Sequence, residues 1–254
     1  MNNVEVSGLS FSYDRGAMEK RNYVLSGISF TADEGETVGL IGANGAGKST
    51  LLKLFTGLLT GYEGDIRIGG VRVEKGSLAD IRRNTGYVFQ DSESQLFMST
   101  VYEDTAFAPR NYGFSEEEVD KRTIRALESV HMEQMKDRQI YRLSGGQKKL
   151  ASIATILSME PGVILLDEPS VALDPRNRRN LIHVLNELPG TKIIASHDLD
   201  FIYDTCRRAI LISDGRIAAD GPAEEILRDQ ALLEENGLEL PLSFSRENVR
   251  RDHS

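Results

Sequence analysis

Apolar and polar residues recur along the chain with two different periods, which predict strands and helices in succession. Near the start, a two-residue period slips once at Gly8, which predicts a strand with one irregularity. The apolar positions of this strand are Val4, Val6, Leu9 and Phe11. Short, mostly apolar runs at 37–41, 163–166 and 191–196 are typical of strands that a parallel sheet buries on both faces. We therefore expect a parallel sheet at the centre of the fold.

Two glycine-containing turns predict antiparallel hairpins. Gly69-Gly70 separates two short apolar stretches in a strand-rich N-terminal part, which predicts an antiparallel β subdomain. Asp214-Gly215 separates 210–212 from 216–218, which predicts a second hairpin near the end of the chain.

Helical spacing appears between these strands. Apolar residues at 51, 54, 55 and 58 share one face of a helix that follows a glycine-rich loop. Ser115 and Glu118 have the spacing of a capping box at the start of a second helix, and a third helix is expected from about Gly145 to Pro161. The whole chain, 1–254, is therefore expected to form one α/β domain. Its predicted parts are a core at about 1–90 and 161–240, an inserted helical subdomain at about 91–160, and a loosely held polar tail at 241–254.

The composition limits the classes of partner. Of the 254 residues, 39 are acidic and 30 are basic, so the formal net charge is −9 and no nucleic-acid partner is expected. Cys206 is the single cysteine, which excludes an internal disulfide and fits a reducing compartment. The N-terminus lacks a signal-peptide pattern, and no apolar run reaches the roughly 18 residues that cross a bilayer. We expect a cytosolic protein that reaches a membrane only through a partner.

A glycine-rich segment at 42–50 fits the phosphate-binding pattern G-x-x-x-x-G-K-[ST] and lies between a predicted strand and a predicted helix. Its glycines let backbone N–H groups surround phosphate oxygens, and the helix N-terminus attracts anions. Lys48 is expected to neutralise the β- and γ-phosphates, and Ser49 to offer its hydroxyl to Mg²⁺. The alternative is a glycine-rich turn before a helix. The candidate ATP-binding residues are Gly42, Asn44, Gly45, Gly47, Lys48, Ser49 and Thr50.

Two acids follow the apolar run at 163–166. They would lie at the carboxyl edge of the parallel sheet, where ligands bind. Asp167 is expected to hold Mg²⁺, and Glu168 to polarise an attacking water.

The string Leu143-Ser144-Gly145-Gly146-Gln147 begins a predicted helix, and one interpretation is a capping box between its serine and glutamine. The string also resembles the signature motif of ATP-binding-cassette ATPases, and this resemblance extends over about residues 4–240. It implies an α/β P-loop NTPase fold, with a RecA-like parallel sheet core, an antiparallel β subdomain and an inserted α-helical subdomain. It also implies that the motif contacts ATP held by a second ATPase subunit, in a head-to-tail dimer.

The resemblance assigns roles to further residues. Gln90 matches the glutamine that joins the two lobes and contacts Mg²⁺ or the water. His197 matches the histidine that contacts the γ-phosphate, and Asp174 lies in the loop that communicates across the dimer. The catalytic candidates are therefore Glu168, His197 and Gln90; the Mg²⁺ candidates are Ser49, Gln90 and Asp167; the cross-dimer candidates are Ser144, Gly145, Gly146, Gln147 and Asp174.

Tyr13 resembles the aromatic residue that stacks on adenine in this family. Phe11 and Tyr23 are competing candidates for that role, and the alternative for Tyr13 is a place in the core.

The segment 87–113 is similar to the ATPases of energy-coupling-factor importers, in particular the cobalt and nickel type. The shared pattern is Q-D-x-x-x-Q-L-F followed by T-V-x-E-D-x-A-F-G-P-x-N, with Ala108 in place of the usual glycine. The resemblance implies ATP hydrolysis coupled to cobalt or nickel uptake, at the cytoplasmic face of the membrane. The implied partners are a second ATPase, identical or related, an integral membrane coupling subunit and a substrate-binding membrane subunit. The alternatives are a biotin or vitamin importer ATPase and a soluble iron–sulfur assembly ATPase.

Leu96, Phe97 and Met98 are candidates for the surface that receives the membrane subunit. The alternative places them in the core of the helical lobe.

Overall fold

The computed structural model of the chain describes residues 2–14 and 22–244, which form two sheets and a set of helices. The strands are β1 (Asn2–Phe11), β2 (Leu25–Asp33), β3 (Thr37–Ile41), β4 (Glu63–Ile68), β5 (Val71–Arg72), β6 (Thr85–Val88), β7 (Val163–Asp167), β8 (Thr191–Ala195), β9 (Arg208–Ser213) and β10 (Arg216–Pro222). The helices are α1 (Lys48–Phe55), α2 (Leu78–Asn84), α3 (Val101–Asn111), α4 (Glu116–Ser129), α5 (Gly145–Leu157), α6 (Pro175–Glu187), α7 (Leu199–Thr205), α8 (Ala223–Arg228) and α9 (Gln230–Glu235).

The larger sheet has six strands in the order β10-β9-β3-β8-β7-β6. β3 pairs in parallel with β8 and β9, and β7 pairs in parallel with β6 and β8. The three mostly apolar runs therefore form strands at the centre of a parallel sheet, as predicted. β10 is antiparallel to β9 across Asp214-Gly215, so the predicted second hairpin is also present.

The smaller sheet is antiparallel, in the order β2-β1-β4-β5. β1 changes register between Val6 and Leu9, where Gly8 has a φ of 58°, so the predicted irregularity is a real break in the pairing. Gly69 and Gly70 both have positive φ, which matches a two-residue turn between strands with the usual right-handed twist.

The larger sheet is buried on both faces because successive side chains point to opposite sides. Leu165 and Ile193 pack in the core shared with α1 and the smaller sheet. Leu166 and Ile194 pack in a second core with helices that include α4, α5 and α6. This arrangement explains why apolar residues follow one another in these strands instead of alternating with polar ones.

Helix α1 is one turn shorter than its apolar pattern suggests. Gly57 has a φ of 63°, and the N–H of Leu58 bonds to the carbonyl of Lys53, a helix-ending geometry that favours glycine. Leu58 is therefore 50% exposed, and its predicted place on the buried face of the helix is wrong.

Segment 241–244 packs against the second core. Asp200 accepts hydrogen bonds from the backbone N–H groups of Leu242, at 2.9 Å, and Ser243, at 3.1 Å. Phe244 is buried and lies edge-to-face with Tyr203, with ring centroids 4.8 Å apart. The rest of the predicted polar tail, 245–254, lies outside the described residues. Across the part of the chain that is described, every helix is too short or too polar to cross a bilayer.

Candidate active site

The phosphate loop lies at the carboxyl end of β3, where the chain turns into α1. A Cβ at Gly42 would lie 2.2 Å from the carbonyl oxygen of Ile212, so the loop packs against β9 more closely than any side chain permits. The first N–H groups of a helix have no acceptor within it, so those of α1 are available to bind phosphate oxygens held in the loop.

Lys48 is buried in the first turn of α1. Its Nζ donates hydrogen bonds to the carbonyl oxygens of Gly42, at 2.7 Å, and Ala43, at 3.2 Å. Burial lowers the pKa of Lys48, and the negative charges of Glu168 and Asp167 oppose that shift. The ammonium thus lies between loop carbonyls and two acids, where it can exchange the carbonyls for phosphate oxygens.

Asp167 ends β7 with a hydrogen-bond donor on each carboxylate oxygen. Ser49 Oγ donates to Oδ1 at 2.7 Å, and the Tyr87 hydroxyl donates to Oδ2 at 3.0 Å. Burial and the nearby charge of Asp167 raise the pKa of Tyr87 far above its usual value, so this donor stays protonated. Hydroxyl and carboxylate oxygens are ligands that Mg²⁺ prefers, so Ser49 and Asp167 fit a magnesium site that phosphate oxygens would complete.

Glu168 has one carboxylate oxygen held and the other directed at the phosphate loop. Its Oε2 accepts from Ser196 Oγ, at 3.1 Å, and from the backbone N–H of His197, at 3.3 Å. His197 Nδ1 lies 2.9 Å from the same oxygen. Oε1 lies 3.9 Å from Lys48 Nζ, on the phosphate-loop side of the carboxylate. The two predicted catalytic residues, Glu168 and His197, are therefore in direct contact.

Several of these residues border one cleft of about 510 Å³. Residues 44–50 of the phosphate loop line it together with Gln90, Glu168 and His197. The structure thus brings together the predicted phosphate-binding, magnesium and catalytic residues, although they come from distant parts of the sequence.

Tyr13 lies at the end of the phosphate loop. It is 58% exposed, and its hydroxyl lies 3.1 Å from Thr50 Oγ1. Phe11 is buried in the core and cannot stack on a ligand, and the Tyr23 hydroxyl donates to Glu63 at 3.2 Å. This placement favours Tyr13 over the two competing aromatic residues.

Ser144 and Asp174 each cap the start of a helix. Ser144 Oγ accepts from the backbone N–H of Gln147, whose side chain accepts from the backbone N–H of Ser144 in return. Asp174 accepts from the backbone N–H groups of Arg176 and Asn177, each at 2.9 Å. The capping box predicted for the string at 143–147 is therefore present.

The two helix starts touch each other within one chain. A Cβ at Gly146 would lie 2.5 Å from Oδ1 of Asn177, and Asn177 Nδ2 donates to Asp174 Oδ2 at 2.7 Å. The cross-dimer candidates are thus neighbours. Of the residues that the structure describes, those bordering the cleft do not include 144–147, so signature and cleft are separate places in a single chain.

Residues 25–171 match the ABC transporter family. The chain belongs to that family. This ABC protein is 48% identical to a Gloeobacter violaceus protein provisionally named as an ABC transporter ATP-binding protein, over 95% of this chain and 98% of that one. It is 40% identical to the energy-coupling factor transporter ATP-binding protein EcfA of Carboxydothermus hydrogenoformans, over 94% and 87% of the two chains.

A solved structure is also similar to this chain. CbiO1 from Clostridium perfringens, described as part of the ABC transporter complex CbiONQ, superposes with a TM-score of 0.82 at 33% identity. The alignment covers 92% of this chain and 94% of CbiO1. The predicted α/β P-loop NTPase fold is confirmed, and so is the predicted enzyme class, an ATPase whose hydrolysis is coupled to transport.

The predicted docking residues of this ABC ATPase divide between core and surface. Leu96 is only 7% exposed and packs in the second core, although it also borders the groove described below. Phe97 is 63% exposed and lies edge-to-face with Phe107, with ring centroids 4.7 Å apart. Phe97 and Met98 border a surface groove with Ile140 and Tyr141, which we call the aromatic groove.

Two residues that orient the carboxylates of Asp167 and Glu168 were not predicted from the sequence. Tyr87 fixes Asp167, and Ser196 fixes Glu168. A usable signal was present for both, because each is a hydroxyl residue near the carboxyl end of a strand that adjoins β7 or β3. At that edge of a parallel sheet a hydroxyl can reach the acids that end a neighbouring strand.

Proposed function

We propose that this ABC ATPase is the ATP-hydrolysing subunit of an energy-coupling-factor importer that takes up cobalt or nickel ions. Its similarity to EcfA and to CbiO1 supports the transporter class. The choice of metal ion rests on the resemblance of segment 87–113 to cobalt- and nickel-type ATPases. In this proposal the ion binds the membrane subunits, and this chain hydrolyses ATP at the cytoplasmic face.

The observation that carries the ATP-hydrolysing role is the asymmetric setting of Glu168. Because Oε2 is held by Ser196 and His197, Oε1 is free to accept a hydrogen bond from the attacking water in a fixed direction. Lys48 neutralises the β- and γ-phosphates, as phosphoryl transfer depends on positioning and on charge neutralisation. Ser49 and Asp167 would hold Mg²⁺, which when bound also neutralises phosphate charge.

The separation of signature and cleft supports a head-to-tail dimer. In this arrangement Ser144 and Gly146 of one subunit complete the ATP site of the other, and Tyr13 stacks on adenine. ATP then joins the two subunits, and its hydrolysis releases them, which moves whatever is attached. The second subunit is a copy of this chain or a related ATPase.

Glu168→Gln tests the chemical step. The substitution keeps the size of the side chain and removes the carboxylate, so we expect ATP binding to persist and hydrolysis to fall by about 10²- to 10⁴-fold. A stable dimer should accumulate with ATP, measured by light scattering. Glu117→Gln, at an exposed position in the first turn of α4, is the matched control and should hydrolyse ATP at the normal rate. Normal turnover by Glu168→Gln would remove Glu168 from the mechanism.

Affinity capture of tagged Glu168→Gln protein from detergent-solubilised source membranes tests the transporter. We expect a multi-spanning membrane protein in the captured complex, identified by mass spectrometry. After reconstitution in vesicles, the complex should take up labelled cobalt or nickel when ATP is supplied. Uptake of biotin without metal uptake would overturn the proposed cargo, and capture of soluble assembly proteins alone would overturn the importer.

A further inference from the structure

Residues 89–95, which we call the glutamine segment, leave β6 at the sheet edge and contain Gln90. One buried lysine of α5 holds the start of this segment. Lys149 Nζ donates hydrogen bonds to the carbonyl oxygens of Phe89, at 3.0 Å, and of Gln90, at 2.9 Å. The residue that reaches into the cleft is therefore bonded through its own backbone to the helix that begins at Ser144.

A second side chain ties the same segment to the same helix. Gln95 Oε1 accepts from the backbone N–H of Phe89 at 3.1 Å. Gln95 Nε2 donates to the carbonyl oxygen of Ser152 at 2.8 Å and to Thr155 Oγ1 at 3.0 Å. Both ends of the glutamine segment are thus fastened to α5, by Lys149 at one end and by Gln95 at the other.

The place of Lys149 is unusual for a charged side chain. It is 3% exposed, and an ammonium removed from water is costly unless its donors find partners. Two of its partners are uncharged carbonyls, and the carboxylates of Asp91 and Asp167 act on it only through their charge. A leucine or methionine could fill the same volume at lower cost. The ammonium is therefore better explained by what it holds than by packing.

We propose that Lys149 is a positioning residue that makes α5 and the glutamine segment move as one body. The position of Gln90 in its own cleft then depends on where Ser144, at the start of the same helix, lies relative to the ATP of the other subunit. This inference rests on the proposed dimer and deepens it: it names the bond by which one subunit couples the two ATP sites.

The test replaces Lys149 and follows the segment directly. The chain contains no tryptophan, so Phe89→Trp introduces a single fluorescent reporter on the glutamine segment. We expect ATP to shift the emission of this reporter in a Glu168→Gln background. Lys149→Met should abolish that shift and, in an otherwise natural chain, lower kcat by about tenfold to hundredfold, since a small misplacement of an active-site group has effects of that size.

The controls separate positioning from folding and from nucleotide binding. Affinity for ATP should change less than threefold in Lys149→Met, because the phosphate loop is untouched. Lys149→Arg, which keeps the charge and several donors, should recover most of the rate, whereas Lys121→Met, at an exposed position of α4, should match the natural chain. If Lys149→Met does not fold, Lys149→Gln replaces it, since the shorter amide cannot span both carbonyls.

The outcomes are distinguishable. Normal kcat and a normal emission shift in Lys149→Met would overturn the positioning role while leaving the ATPase and its dimer intact. A natural chain that hydrolyses no ATP, or forms no ATP-dependent dimer, would instead overturn the proposed function. Loss of rate and emission shift with unchanged ATP affinity, and recovery by Lys149→Arg, would establish the coupling.

Discussion

Two adjacent acids acquire different chemical roles from the donors around them. Asp167 has a hydroxyl on each oxygen, from Ser49 and Tyr87, which suits a carboxylate that holds a cation in a fixed place. Glu168 has donors gathered on one oxygen, which leaves the other for water. Residue type alone does not distinguish these roles; the neighbouring strands do.

Tyr87→Phe tests the support of Asp167. Loss of the hydroxyl leaves one buried carboxylate oxygen without its donor, so we expect the free energy of unfolding to fall by about 1–3 kcal/mol. The Mg²⁺ concentration needed for half-maximal ATP hydrolysis should rise severalfold, because Asp167 is less firmly oriented. Titration of the hydrolysis rate with Mg²⁺ and urea denaturation measure the two effects. Tyr203→Phe removes a hydroxyl far from the cleft and should change neither; equal Mg²⁺ dependence in both variants would contradict the role of Tyr87.

At the scale of elements, helices α5 and α6 meet where each begins. The capping residues Ser144 and Asp174 fix the two starts, and Gly146 lets Asn177 approach. Glycine at 146 is thus required by packing inside one chain, in addition to any contact with a second subunit.

The two neighbouring signature glycines provide a matched pair for testing this contact. Gly146→Ala should destabilise the nucleotide-free monomer by about 1–3 kcal/mol, because the new methyl group overlaps Asn177. At Gly145 a new methyl group would have no neighbour within 4 Å, so Gly145→Ala should leave the free energy of unfolding unchanged or slightly higher. Urea denaturation compares them. The double variant Gly146→Ala/Asn177→Ala should regain most of the loss; if it does not, the overlap is not the cause.

Elements with a clear local signal were predicted from the sequence, and elements without one were missed. The hairpins, the central strands and helix α5 were all predicted, because each carries a turn, a cap or a mostly apolar run. Strand β6 was missed: it has four residues, one of them Gly86, and it fits the sheet because Ile156 of α5 fills the space beside that glycine. Helix α3 lies in the expected helical subdomain but was not predicted as a separate element; it contains Pro109, normally a helix breaker, and burial of Val101, Ala106 and Pro109 itself outweighs that preference.

The motif residues of the candidate site were predicted from the sequence, but the residues that hold them in place were not. Lys48, Asp167 and Glu168 have diagnostic spacing, whereas Tyr87 and Lys149 act through contacts between elements distant in sequence. Such contacts depend on how the sheet and helices pack, which local pattern does not record. The same reason applies to Leu96 and Phe97, which are adjacent in sequence yet belong to core and surface.

At the scale of the whole molecule, the aromatic groove is the surface proposed to receive the membrane subunit. Phe97→Ser should lower capture of that subunit severalfold and change the free energy of unfolding by less than about 0.5 kcal/mol, because the side chain is exposed. Leu242→Ser, also exposed, is the control and should leave capture unchanged. Leu96→Ser should instead cost about 2–5 kcal/mol, since it opens the core. Equal capture by Phe97→Ser and the natural chain would exclude the groove.

The strand order also determines when the molecule can first bind a nucleotide during its synthesis. β3 carries the phosphate loop and ends at Ile41, but its two neighbours in the sheet begin at Thr191 and Arg208. A nascent chain therefore leaves the ribosome with its phosphate loop long before the strands that hold that loop have been translated. Until β8 emerges, both edges of β3 are unpaired, and one edge stays unpaired until β9 emerges; other chains can join such edges. Correct assembly of this ATPase thus depends on protecting one early strand through most of translation.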